Sequence, residues 1–230
     1  MEILIIRHGD PDYSIDSLTP QGWKEAELLS QKLTQMEITA FYSSPLGRAK
    51  DTAAPTLQKI NREMTILDWL EEIGDECRDF LPSYWTNVEE YYSKEDWYKP
   101  EIMQSTGAKV VCDKVQQGLD KLLAEYGYVR EGNIWRVERE SHARIALFCH
   151  YGISGVILSH LTGVSPVIYW QNFAAAPSSI TTVVTEERRK GIACLRVRSY
   201  GDTGHLYAGG EEPSFACRFC ECFSDDTRHD

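Results

Sequence analysis

The sequence predicts an α/β fold: a three-layer α/β/α sandwich with a mainly parallel central sheet and an antiparallel edge hairpin. Two stretches, Ile3 to Ile6 and Ala143 to Cys149, are short and largely apolar, as suits strands buried on both faces of a parallel sheet. Segments with helical spacing follow each of them, and strands alternating with helices are the signature of a parallel sheet covered on both sides. A later pair of β-branched stretches around a charged turn supplies the antiparallel hairpin.

Taken in order, the first strand ends in Arg7-His8-Gly9. Thr19-Pro20 then provides an N-cap followed by proline at the first helical position, and Ala26, Leu29, Leu33 and Met36 recur at helical spacing. Ala40 to Ser43 reads as a second strand, broken by Ser44-Pro45 ahead of a helix carrying Arg48, Ala49, Ala53, Leu57 and Ile60. Thr65 to Leu67 reads as a third strand. Between about 80 and 109, Tyr84, Trp85, Tyr91, Tyr92, Trp97 and Tyr98 are mixed with charged residues, which we read as a helical insertion. It either lines the site as a lid or packs as a satellite of the core. Val115, Leu119, Leu122 and Leu123 mark a helix from Asp113 to Tyr126, with Gly127 at its end. After the strand at 143–149 comes His150-Tyr151-Gly152, then a helix from Ile153 to Thr162 closed by Gly163. The hairpin joins Ile180–Thr185 to Ile192–Val197 through the turn 186–191. With no repeat and no linker, residues 1–230 are expected to form one domain.

Composition narrows the function. In 230 residues there are 24 Lys and Arg against 35 Asp and Glu, a net charge of −11. A surface so acidic argues against coating nucleic acid or anionic lipid, while leaving room for a local cationic pocket. The first apolar run is too short for a signal peptide or a membrane span. Seven cysteines, an odd number, suit reduced thiols and a cytoplasmic location. Cys217-x-x-Cys220-x-Cys222 has only His229 nearby as a fourth ligand, too few at paired spacing for a metal site. No metal or organic cofactor is expected, and the sequence is silent on oligomeric state.

In parallel sheets ligands bind beyond the C-terminal strand ends. Arg7, His8 and His150 fall there, and Arg48 lies just inside a helix that follows a strand, where free N–H groups favour an anion. Four nitrogen-bearing side chains thus converge on a place for one phosphate.

The joint order of Arg7-His8-Gly9, Leu18-Thr19-x-x-Gly22, Ser43-Ser44-Pro45-x-x-Arg48-Ala49-x-x-Thr52-Ala53, Leu70-Glu71-Glu72, His150-x-Gly152 and Thr203-Gly204-His205-Leu206 resembles the histidine phosphatase superfamily, the phosphoglycerate-mutase-like group. The resemblance runs along almost the whole chain. It implies that His8 is the nucleophile, that Arg7, Arg48 and His150 form the phosphate pocket, and that Glu72 is the proton donor, with Glu71 the alternative. Chemistry agrees with this, because guanidinium groups disfavour a further charge on His8 and clamp phosphoryl oxygens without a metal.

The sequence also departs from the family pattern. Asp10-Pro11-Asp12-Tyr13-Ser14 stands where many members have Glu-Thr and then an asparagine, so Ser14 is the candidate to replace that phosphate contact. Tyr151 replaces a glycine and either lines the pocket or turns away. The implied activity is metal-independent hydrolysis of a small phosphorylated substrate through a phosphohistidine. The basic, proline-rich insertion of the mutases has no counterpart between Cys77 and Lys109, so a phosphoglycerate-mutase-type phosphotransferase is the second reading. A catalytically silent phospho-ligand scaffold is the third.

Overall fold

The computed structural model describes residues 1–74 and 89–214. Its elements in chain order are β1 (Glu2–Arg7), β2 (Pro11–Asp12), β3 (Ser17–Leu18), α1 (Pro20–Leu33), β4 (Ala40–Ser43), α2 (Gly47–Ile60) and β5 (Thr65–Ile66). After single 3₁₀ turns at Asp68–Leu70 and Glu89–Tyr92 come α3 (Glu101–Ser105), α4 (Ala108–Glu125), β6 (Tyr128–Glu131), β7 (Ile134–Val137) and β8 (Arg144–Cys149). The chain continues through α5 (Tyr151–Thr162), α6 (Pro166–Asn172), β9 (Ile180–Arg189), β10 (Ile192–Asp202) and α7 (Gly204–Ala208).

Eight strands form one sheet in the order β5-β4-β8-β1-β9-β10-β7-β6. The first four run parallel, with β1 between β8 and the antiparallel β9. Pleating sends alternate residues of β1 to opposite faces. Leu4 and Ile6 join Phe41, Ala146 and Phe148 beneath Leu29, Leu33, Ala53 and Leu57 of α1 and α2. Ile3 and Ile5 join Ile145 and Leu147 beneath α4 and α5, where Val115, Leu119, Leu123, Ile153 and Val156 are all fully buried. Two cores on two faces of one sheet are the expected sandwich.

Thr19 caps α1 as its sequence implies: Oγ1 accepts from Gly22 N at 3.0 Å, with Pro20 at the first turn. Gly22 has no substitute there, since a Cβ would stand 2.2 Å from Asp10 O. This contact pins the start of α1 to the segment leaving β1.

Three details differ from the sequence reading. The hairpin β9–β10 is antiparallel as expected, yet it is interior to the sheet, pairing with β1 on one side and β7 on the other. A second hairpin, β6–β7, forms the true edge, and its signal was present in the alternation of 128–137 around Gly132-Asn133, with Gly132 at φ 62°. The insertion is less helical than expected where it is described: 89–107 holds one 3₁₀ turn and the short α3, and α4 begins at Ala108. Tyr91 and Trp97 are buried there, Trp97 meeting Trp170 edge-on at 5.8 Å, so this half packs onto the core. Tyr84 and Trp85 lie outside the described residues, as do Cys217, Cys220 and Cys222.

Candidate active site

Because β1 and β8 are parallel neighbours in register, with Arg7 beside Cys149, the residues that follow each strand are delivered side by side. His8 and His150 therefore meet, their ring centroids 5.1 Å apart and their planes inclined at 54°. Both are buried, at 2% and 0% exposure. The backbone of His8 is fixed on two sides: its N–H donates to Cys149 O at 2.9 Å and its carbonyl accepts from Ser178 N at 3.0 Å.

The tautomer of His8 follows from its partner. Nδ1 lies 2.7 Å from Gly9 O, and a carbonyl only accepts, so Nδ1 carries the proton and Nε2 keeps its lone pair. Burial pushes the His8 pKa well below the ordinary histidine value, and Arg7 and Arg48 push it further the same way. His150 is lowered too, by burial first, then by His8 and the two arginines. Its Nε2 pairs with Ser44 Oγ at 2.7 Å, while Nδ1 has no hydrogen-bond partner among the described residues.

The arginines approach from different elements. Arg7, the last residue of β1, donates from Nη1 to Ala175 O at 2.6 Å, and its guanidinium lies over the Tyr151 ring at 5.6 Å. Tyr151 turns its hydroxyl away to donate to Trp170 O and Phe173 O, at 2.7 and 2.8 Å, so it presents a ring face to Arg7. Arg48 sits in the first turn of α2, buried, with Tyr13 over its guanidinium at 5.4 Å.

Glu72 is drawn to the N-terminus of α5. Its Oε1 accepts from Ile73 N and Ile153 N at 3.0 and 3.1 Å, and Oε2 accepts from Gly152 N at 3.2 Å. Gly152 makes the approach feasible: a Cβ there would lie 2.7 Å from Oε1. Burial raises the Glu72 pKa, against the opposing pull of three N–H groups and Arg7. Glu71, the alternative acid, is exposed.

Of the residues singled out from sequence, Arg7, His8, Arg48, Glu72, His150 and Tyr151 are brought to the ends of β1, β4 and β8. Ser14 is not: it is exposed and its hydroxyl donates to Asp12 Oδ1 at 2.5 Å. Besides Tyr13, that loop reaches Arg48 through Asp16, whose carboxylate accepts from the guanidinium and which sequence reasoning missed. Ser44, quoted as a strand break and as part of the motif but given no role, pairs with His150. Thr52, also quoted in the motif without a role, has an Oγ1 that accepts from Gly9 N at 2.9 Å and donates to Arg48 O at 2.7 Å, coupling the strand end to α2. His205 braces the site from below, its Nε2 3.0 Å from the hydroxyl of Ser178, the residue whose N–H holds the His8 carbonyl.

These features describe an α/β protein with two histidines and two arginines buried together at the C-terminal ends of parallel strands. The family model for the histidine phosphatase superfamily, branch 1, matches residues 3–198, and the chain belongs to that superfamily. The 2,3-bisphosphoglycerate-dependent phosphoglycerate mutase of Thermoplasma acidophilum is 33% identical over an alignment of 81 residues that covers 31% of this chain and 40% of that protein's length. Among solved structures, a mutant phosphoserine phosphatase of Entamoeba histolytica in complex with phosphoserine superposes with a TM-score of 0.61 at 19% identity, covering 89% of this chain and 98% of that one. A mycobacterial glucosyl-3-phosphoglycerate phosphatase in complex with VO3 gives 0.60 at 16% identity, covering 88% and 99%. At these identities the structural likenesses establish a common fold. Among the described residues, no helix is long and apolar enough to cross a membrane.

Proposed function

We propose that the protein hydrolyses small phosphomonoesters, without a metal, through a phosphohistidine on His8. The observation that carries this reading is the setting of His8: a buried imidazole whose Nδ1 lies 2.7 Å from Gly9 O, which leaves Nε2 as the nucleophile, beside a second histidine and two arginines. Nε2 attacks phosphorus in line, the N–P bond forms and the ester P–O bond breaks. Arg7, Arg48 and His150 hold the equatorial oxygens, a task of positioning and charge stabilisation. Glu72, whose pKa burial raises, gives its proton to the departing alkoxide. As carboxylate it then takes a proton from water, whose oxygen attacks phosphorus as the N–P bond breaks and releases inorganic phosphate.

The named activities of the two fold neighbours, and the phosphoserine bound in one of them, support a small phosphorylated substrate for this chain. The thiols of Cys149 and Cys194, outside any disulfide among the described residues, fit a reducing compartment, and the reading includes a cytoplasmic location. The segment similar to a phosphoglycerate mutase favours one alternative, transfer of the phosphoryl group to a second hydroxyl instead of water. Turnover of an aryl phosphate in EDTA, followed by a panel of phosphoesters, tests both. Release of inorganic phosphate supports the hydrolase. Isomerisation of phosphoglycerate without phosphate release supports the mutase, and loss of turnover in EDTA contradicts a metal-free mechanism.

A further inference from the structure

The N-terminus of α2 has an unusual cap. Leu46 precedes it and offers no side-chain acceptor, yet Gly47 N donates to a carboxylate that arrives from another loop, Asp16 Oδ2 at 2.6 Å. The other oxygen of the same carboxylate accepts from Arg48 Nη1 at 2.7 Å. The fit is tight on both sides. A Cβ at position 47 would stand 2.0 Å from Asp16 O, so only glycine admits this approach, and Asp16 itself sits in the left-handed region at φ 48°. Ser17 Oγ donates to Asp51 Oδ2 at 2.5 Å and ties the loop to the next turn of α2.

The corner of the guanidinium that Asp16 takes matters. Nη1 is the corner on the Cδ side, whereas Nε and Nη2 form the opposite, bidentate edge that matches two oxygens of a phosphate. Arg48 Nε is buried and has no hydrogen-bond partner among the described residues. Asp16 therefore holds the guanidinium by its Nη1 corner and leaves the buried Nε without a hydrogen-bond partner among the described residues.

We propose that Asp16 is the positioning residue for Arg48, fixing the guanidinium so that its Nε–Nη2 edge receives phosphoryl oxygens. The proposal rests on the phosphohydrolase reading and deepens it. A competing role is equally concrete: a carboxylate seated on a phosphate-binding arginine acts as a substitute anion that substrate must displace. The two roles predict opposite signs. A positioning residue strengthens binding of the anion, whereas a competitor weakens it.

The test measures inhibition by vanadate, and kcat and KM for an aryl phosphate, in the wild type, D16A, D16N, R48A and D16A/R48A. Positioning predicts that D16A weakens vanadate by about tenfold or more, the scale of one lost charge-assisted hydrogen bond. D16N keeps one acceptor and should fall between D16A and the wild type. In the R48A background the removal of Asp16 should cause no further loss, an outcome that a merely structural cap does not produce. Thermal melting of each variant separates unfolding from misplacement, and D16N carries the test if D16A does not fold. Tighter vanadate binding in D16A, unchanged binding, or an equal loss in the R48A background overturns the proposal. If the wild type neither turns over phosphoesters nor binds vanadate, the phosphohydrolase reading itself fails.

Discussion

The rings of His8 and His150 owe their proximity to one register: β1 and β8 run parallel with Arg7 opposite Cys149, so the ring centroids of the histidines that follow stand 5.1 Å apart. Neither is placed by a loop of its own. Both sit on rigid strand ends, where small errors in aim are least tolerated and most easily avoided.

If His8 is the nucleophile, His8→Ala removes the protein atom that bonds to phosphorus in the first step. Turnover should fall to background, while the Arg7 and Arg48 clamp still binds vanadate. Steady-state kinetics beside vanadate titration checks this, and wild-type-like turnover would refute the mechanism.

Glu72→Gln retains an acceptor for the α5 N–H groups but cannot release a proton. We expect kcat to drop by about a hundredfold or more for a poor leaving group. The loss should shrink for a nitrophenolate, which needs no proton to depart. An equal loss for both leaving groups would argue that Glu72 only holds α5 in place.

Gly152→Ala tests the same acid by crowding it. The added carbon would meet Glu72 Oε1 at 2.7 Å, so the carboxylate must move. A displacement near 1 Å costs about a hundredfold in rate, with KM little changed because the phosphate clamp is untouched. Kinetics of the folded variant, compared with Glu72→Gln, reads this directly.

Acid should weaken the fold. Burial holds His8, His150 and His205 below the ordinary histidine value, His205 at about 4, so between about 6.5 and the lowered values the unfolded chain binds protons that the folded chain does not. Their stabilising effect is full above about 6.5 and is lost as pH falls. Glu25 and Glu72 are raised by burial and act with the opposite sign, their contribution being present at low pH and lost as pH rises through the raised values. Tm should fall between pH 7 and 5, and His205→Gln should flatten that fall. A Tm that rises on acidification would contradict the assignment.

Much of this was legible in the sequence, for identifiable reasons. The β1 and β8 runs are buried on both faces and so carry unbroken apolar patterns, and Thr19-Pro20 is a local signal that tertiary structure did not override. Arg7, His8 and His150 follow from the rule that parallel strands present their C-terminal ends to ligands. Asp16 escaped, and Thr52 and Ser44 stood in the quoted motif without a role, because each acts through a partner distant in sequence and polar residues carry no periodic pattern. The Ser14 expectation failed because an Asx-type turn within the loop ties its hydroxyl to Asp12. The β6–β7 edge was readable from its Gly-Asn turn. The interior position of β9–β10 was not, because strand order depends on long-range pairing.

The most direct measurement is a rapid acid-free quench of the wild type during turnover of an aryl phosphate in EDTA, with the phosphoryl group located by peptide mass spectrometry. The account predicts an acid-labile, base-stable phosphoryl group on His8, formed and consumed at rates compatible with turnover and absent from His8→Ala. Steady turnover with no phosphoenzyme, and with single-displacement inversion at phosphorus, would contradict it.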